Sequence, residues 1–218
     1  MKAIIILTFI LICFGFSPEK AAPSLEEYSY VPLRRKLMHA EEFYGLYREN
    51  FYRGTENLNA NVYWLHYALK APFAPPVQAL AKIETPKQWD KYKKLFHMHM
   101  NFLIMENYLR LGERYEKNNI YFFNYAFAKE IKEGLEITKI YYKRAEVYWK
   151  KVAELSGICF ELRDIELYDL DGEVAKWEDR VYKIHFNEVE VNYPKEIQKR
   201  LQEVEKKTKM IEKGEYKK

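Results

Sequence analysis

The side chains best suited to metal chemistry lie in one short run, His97-Met98-His99-Met100. Imidazole and thioether ligands together suit Cu(I). If the run is helical, side chains two residues apart point about 200° away from each other, so His97 and His99 cannot hold one ion. His97 and Met100 would supply only two ligands. We therefore expect structural packing here, and no metal or other cofactor.

The other candidates for catalysis are isolated in the sequence. Glu41-Glu42 is typical of a solvated helix face, and Asp169-x-Asp171-Gly172 lacks the later ligands of a calcium loop. Cys159 lies in an apolar segment with no adjacent histidine, which favours a buried structural thiol. Neither a glycine-rich phosphate loop nor an H-E-x-x-H or G-x-S-x-G motif occurs. We therefore expect no enzyme, since an active site would have to be assembled from distant residues.

Aromatic residues are the unusual feature of the composition. The 218 residues include 19 Tyr, 13 Phe and 4 Trp, which together make 17% of the chain. Such rings are enriched at protein interfaces, so a number beyond the needs of the core points to contact surfaces. The 36 basic and 32 acidic residues nearly balance, so we expect no nucleic-acid partner.

The N-terminal residues 1–22 are typical of an export signal. Residues 3–16 form an apolar run after one lysine, shorter than the roughly 20 residues that span a bilayer as a helix. The small-residue sites where cleavage could occur are followed by Pro18 and Pro23, so a retained anchor is the alternative; lipidation at Cys13 is another. We expect a periplasmic or secreted protein, with tethering to the inner membrane by residues 3–16 as the alternative.

Helical periodicity dominates the rest of the chain and predicts an all-α fold. Residues 23–32 are expected to form an extended leader, residues 33–213 a single helical domain, and residues 214–218 a tail. The predicted architecture is a set of antiparallel helical hairpins, arranged as a bundle or as a short, irregular tetratricopeptide-like solenoid. Helices are predicted over residues 33–52, 57–70, 86–117, 124–162, 173–186 and 192–212, with a further short helix within 77–83.

The third and fourth predicted helices carry apolar and small residues at steps of three and four, the spacing of packed antiparallel helices. In the third helix this seam is Leu95, Met98, Phe102, Met105, Leu109 and Gly112, with a second stripe at Trp89, Tyr92, Phe96, His99 and Leu103. In the fourth it is Phe127, Ile131, Gly134, Thr138, Tyr141, Ala145, Val152 and Ser156.

Two resemblances accompany this pattern. Leu111-Gly112-x-x-Tyr115 resembles the first-helix signature of a tetratricopeptide repeat, and Tyr142-x-x-Ala145 resembles the second-helix signature. The spacing from Gly112 to Ala145 is too long for both signatures to belong to one repeat unit, and the first signature has no second copy, so the resemblance implies a repeat-like hairpin.

Residues 51–64, 71–73 and 119–124 resemble exported helical proteins of spirochaetes. Those proteins lie in the compartment that holds the internal flagella, some of them in the collar around the flagellar motor. The likeness extends over residues 30–160. It implies a non-catalytic part of a periplasmic assembly.

The sequence therefore predicts a periplasmic helical scaffold or adaptor that binds other periplasmic or membrane-anchored proteins. The alternative is a helical solute-binding accessory component of a transport system, with Asn59, Asn61, His66 and Tyr67 lining the ligand site. The docking residues are predicted on the aromatic second helix, its proline-stiffened exit and the crossing before the fourth helix. They are Tyr63, Trp64, Tyr67, Phe73, Tyr121 and Phe122.

Overall fold

The computed structural model describes residues 36–52 and 56–215 of the chain. The predicted signal or anchor, the leader and the end of the tail lie outside the described residues. The helices are α1 (Ala40–Tyr52), α2 (Leu58–Lys70), α3 (Pro86–Tyr115), α4 (Ala128–Glu161), α5 (Glu173–His185) and α6 (Tyr193–Lys213). Shorter elements are the 3-10 helices Pro76–Gln78 and Phe122–Phe127 and the strands β1 (Ala81–Lys82) and β2 (Tyr168–Asp169).

Consecutive helices from α1 to α5 pack against each other, and α3 and α4 share the largest contact. α1 packs on α2, and α2 packs on α3, while α5 and α6 both return to α4. The two strands form a minimal antiparallel ribbon that joins the segment before α3 to the segment before α5, with Ala81 opposite Asp169. The predicted all-α class and hairpin packing are confirmed.

Local sequence signals fix where several helices begin. The Thr85 hydroxyl accepts a hydrogen bond from Gln88 N at 3.2 Å, and the Gln88 side chain accepts one from Thr85 N at 2.9 Å. This capping box precedes α3 at the position predicted from Thr85-Pro86. At α2 the Asn57 side chain is the cap and accepts from Asn59 N and Ala60 N.

Some boundaries differ from the predictions. Residues 36–39 are not helical, because the Glu42 carboxylate accepts from Met38 N and His39 N and the helix starts after them. Residues 77–83, predicted to form a short helix, contain a 3-10 turn and β1. The predicted fourth helix begins at Ala128, since the six preceding residues form a 3-10 helix, and it continues through Gly157 without a break.

The predicted seams of α3 are buried along their length, and the core they form continues into α1, α2, α4, α5 and α6. In the α4 seam the one reversal is Phe127, which is 60% exposed. Near the C-terminal end of α3, Gly112 lies directly against the Tyr142 ring. A Cβ at Gly112 would lie 2.7 Å from Tyr142 Cδ1 and 3.0 Å from its Cζ, so the two helices approach here as closely as a glycine allows.

Candidate functional site

The predicted docking residues of α2 are mostly used in packing. Trp64 is 8% exposed, so the expectation of an exposed Trp64 is wrong. Its ring stacks on Phe43 of α1 at 6.3 Å, because α2 is apolar around most of its circumference and packs against both α1 and α3. Tyr63 is half-buried and contacts Trp64 edge-on at 4.8 Å. Tyr67, at 44% exposure, is the α2 candidate that faces solvent.

Phe73, in the proline-rich connector after α2, is also used internally. Its half-buried ring lies 5.6 Å from Trp89, 5.3 Å from Phe96 and 5.2 Å from His97. The connector is therefore fixed on α3 by this side chain. We therefore no longer include Phe73 in the candidate docking surface.

The crossing between α3 and α4 presents rings to solvent. We call residues 121–127 the aromatic turn; its exposed rings are Tyr121, Phe122, Phe123 and Phe127, which are 38%, 68%, 59% and 60% exposed. The Tyr121 and Phe123 rings stack at 5.3 Å, and Phe122 meets Phe123 edge-on at 5.4 Å. The structure thus brings the predicted residues Tyr121 and Phe122 together with Phe123. Phe127, which the sequence analysis placed in the α4 seam, is exposed at the end of the same 3-10 helix.

The aromatic turn is held by a buried residue before it, by a hydrogen bond within it and by contacts with the end of α6. Ile120, just before it, is 3% exposed and anchors the turn in the interior. The Asn124 side chain accepts a hydrogen bond from Tyr121 N at 2.8 Å, which closes the 3-10 helix. Tyr125 donates its hydroxyl to Met210 O at 3.3 Å and also contacts Glu215 O, both at the end of α6. These contacts give the exposed rings a defined base.

A groove of about 880 Å³ adjoins the turn, between the end of α3 and α6. Ion pairs from α6 to the α3 end, Arg200 with Glu113 and Lys207 with Glu116, neutralise much of its charge. Tyr142 donates to the same Glu116 carboxylate at 2.6 Å, under the groove. The groove therefore offers paired charges beside the apolar rings.

The histidines of the His-Met run face different neighbours. His97 packs on Phe73, whereas His99 is buried beneath α5 and stacks on Trp177 at 5.1 Å. Within the part of the chain that the structure describes, no group of three or more metal-type ligands comes together. His97 and His99 therefore pack against other rings, as expected from the sequence. The absence of a cofactor stays a prediction.

His99 is the centre of a directional hydrogen-bond chain that joins α5 to α1 and α3. The Arg180 guanidinium donates to His99 Nδ1 at 2.6 Å, so Nε2 carries the hydrogen and faces the Tyr44 hydroxyl at 3.1 Å. Tyr44 in turn donates to Glu173 at 2.9 Å. Burial, with Arg180 and Lys176 nearby, lowers the pKa of His99 well below its usual value. The imidazole is therefore neutral in the folded protein.

Two of the residues predicted for a solute site, Asn61 and His66, are engaged internally. Asn61 donates to Asn107 at 3.0 Å and accepts from Asn50 at 2.5 Å. His66 lies between Tyr108 and Tyr148, and burial together with nearby cations lowers its pKa to about 4. These side chains therefore form part of the packed interior between α2 and its neighbours.

Cys159 is a buried thiol, as its apolar sequence segment predicted. Cys159 is 2% exposed, and burial raises the pKa of its thiol to about 12, which suits a structural residue. Among the described helices, none has both the length and the apolar composition of a membrane span. The predicted anchor, residues 3–16, lies outside that search.

Comparison with known proteins places the chain in a family whose function is unknown. A family model described as a domain of unknown function, DUF8513, matches residues 87–214. The match covers more than half of the chain, so the protein belongs to this family. No curated protein and no solved structure gives a significant match. The aromatic turn and the adjoining groove lie inside the matched range, whereas the α2 aromatics precede it.

Proposed function

We propose that the protein is a non-catalytic helical scaffold or adaptor of the periplasm that binds another protein through the aromatic turn. The observation that carries this proposal is the exposure of Phe122, Phe123 and Phe127 on one anchored turn. Clustered apolar rings at the surface of a folded domain are the usual centre of a protein interface.

The surroundings of the turn support a protein partner. A fixed apolar cluster with charged groups at its edge has the organisation of an interface core and its polar rim. Because Asn124 and Tyr125 already fix the turn, little conformational entropy is lost when a partner covers it. We place the partner among other periplasmic or membrane-anchored proteins, within a flagellar motor or another envelope assembly.

The experiment is chemical crosslinking in the native envelope, followed by capture of the protein and mass spectrometry. We compare the unchanged chain with a Phe122→Ser/Phe123→Ser double variant. The control is Val77→Ser/Leu170→Ser, which removes side chains that are 88% and 66% exposed elsewhere on the surface. The proposal expects one set of crosslinked proteins to disappear from the turn variant and to persist in the control.

Two other results are decisive. Partners retained by the turn variant at full yield would contradict docking through the turn. Partners lost equally from both variants would show general adhesion of apolar surface. Sequencing of the mature N-terminus in the same sample determines whether residues 1–22 are cleaved.

A further inference from the structure

A second site lies away from the aromatic turn, under α5 and the segment that leads into α6. It is a pocket of about 340 Å³ whose inner wall includes Phe102 and Glu106 of α3, Arg180 of α5 and Tyr193 of α6. Val189 and Val191 add apolar surface from the intervening segment. Its volume is at the small end of ligand pockets, which occupy about 300–1,000 Å³.

Arg180 is fixed in this wall by contacts with a ring and an imidazole. Its guanidinium lies 3.9 Å from the centre of the Phe102 ring, and Nη1 is committed to His99. Across the described residues, no carboxylate forms a direct ion pair with Arg180. Burial lowers the pKa of its guanidinium, and the charge of Glu106 in the same pocket opposes that effect. The remaining N–H groups of the guanidinium can therefore serve an anionic group that enters the pocket.

Glu106 is the negative counterpart. Its carboxylate accepts a hydrogen bond from the Tyr193 hydroxyl at 3.0 Å and, like Arg180, takes part in no ion pair within the described ranges. Burial raises the pKa of the Glu106 carboxyl, whereas the Tyr193 hydrogen bond and the charges of Arg180 and Arg110 oppose that rise. Tyr193 is held in turn by Phe102 and Trp149, whose rings lie 5.5 and 5.1 Å away.

The other charges of the pocket lie at its rim and are paired or exposed. Lys183 pairs with Asp179 at 2.7 Å, and Lys176 pairs with Glu173 at 3.1 Å. Glu190 is exposed, where solvent screens its charge. The inner wall thus presents one cation and one anion beside apolar side chains; the two attract each other electrostatically, but no direct ion pair joins them among the described residues.

We propose that this pocket binds a small zwitterion, a free α-amino acid with an apolar side chain. The Arg180 guanidinium receives its carboxylate, Glu106 and Tyr193 receive its ammonium group, and Phe102 with Val189 and Val191 receives its side chain. Binding brings each of these two protein charges an opposite charge within hydrogen-bond distance. The site is independent of the aromatic turn, so its failure would leave the docking proposal untouched.

The test uses L-leucine as the probe and the purified full chain in isothermal titration calorimetry. N-acetyl-L-leucine lacks the ammonium group, and L-leucinamide lacks the carboxylate. We expect L-leucine to bind and each blocked analogue to bind at least about tenfold more weakly, because each loses a charge-assisted hydrogen bond. No binding of L-leucine at millimolar concentration, or equal binding of all three compounds, overturns the proposal.

The variants assign each charge to one end of the ligand. Arg180→Gln should abolish the preference for L-leucine over L-leucinamide, and Glu106→Gln should abolish the preference over the N-acetyl compound. Arg163→Gln and Glu154→Gln, which alter exposed charges outside the pocket, should leave both preferences intact. A purely structural role would weaken all three ligands together, which would contradict the assignment. If a variant does not fold, the three-ligand comparison on the unchanged chain still decides.

Discussion

The rings around Trp177 and those of the aromatic turn are the same residue types in opposite situations. Trp177 is fully buried, with Tyr44, Tyr92, Phe96 and His99 at ring distances of 6.0, 6.1, 5.7 and 5.1 Å. In the aromatic turn three phenylalanine rings are more than half exposed. An aromatic excess in the composition is therefore divided between interior and surface by the elements that carry the rings.

The difference arises from helix geometry. Trp177 lies on a helix that packs against α3 and α4, so one face of α5 is covered by neighbours. The turn is a 3-10 helix of six residues at the edge of the fold, where consecutive rings fan out around a tighter spiral. At this edge position the rings of Phe122, Phe123 and Phe127 stay more than half exposed, despite their hydrophobicity.

The largest effect that this comparison predicts is on stability. Trp177→Ala should lower the free energy of unfolding by about 3–5 kcal/mol, because it removes the indole from the centre of a ring cluster and leaves a cavity. Phe123→Ala, in the turn, should change it by less than about 0.5 kcal/mol. Urea unfolding followed by circular dichroism measures both values.

A second variant at the buried position refines the result. The Trp177 Nε1 group has no hydrogen-bond partner among the described residues, so Trp177→Phe should cost less than Trp177→Ala. Equal costs for Trp177→Ala and Phe123→Ala would remove the distinction between the two regions.

The next effect concerns the packing beneath the turn. Gly112→Ala would push a methyl group into the Tyr142 ring, and we expect a loss of about 1–3 kcal/mol from overpacking between α3 and α4. Gly157→Ala in α4 is the matched control, since its Cβ would meet nothing within 4 Å and should stabilise the helix by about 0.5–1 kcal/mol. Thermal melts of the two variants should shift in opposite directions. A melt unchanged by Gly112→Ala would show that the two helices can separate without cost.

The sequence predicted the class of fold and the seams well, because periodic burial along α3 and α4 is written into the spacing of apolar residues. Phe127 was misassigned because it lies four residues before Ile131 and so continues the helical phase. The chain at Phe127 is still a 3-10 helix, where each residue turns about 120° and the phase is lost. Trp64 could not be placed, since an all-round apolar helix gives no preferred face.

The sites were less accessible to sequence reasoning. The crossing at Tyr121 and Phe122 was recognisable as a ring-rich segment between helices, and its exposure agrees with that prediction, although its docking role stays untested. The pocket of Arg180 and Glu106 gave no signal, because its charges lie on different helices and no motif links them. Only the packing of α5 against α3 brings them to one wall.

The smallest expected effect is a dependence of stability on pH that should arise at the buried ring cluster. His99 is neutral when folded and has a depressed pKa, whereas in the unfolded chain it titrates near its usual value of 6.5. Below that value the unfolded state binds a proton that the folded state does not, so stability falls as the pH falls. For one such histidine the loss between pH 7 and 5.5 is about 1.2 kcal/mol. We expect His99→Gln, whose amide can still accept from Arg180 and donate to Tyr44, to reduce the measured loss by about that amount.

The control is His185→Gln, which changes an exposed histidine on the same helix as Arg180 and should leave the loss of stability unchanged. Because each variant is compared with itself at two pH values, a general destabilisation by the substitution cancels. An undiminished loss in His99→Gln would mean that His99 is not held neutral between Arg180 and Tyr44, and that the buried cluster is closed by its rings alone.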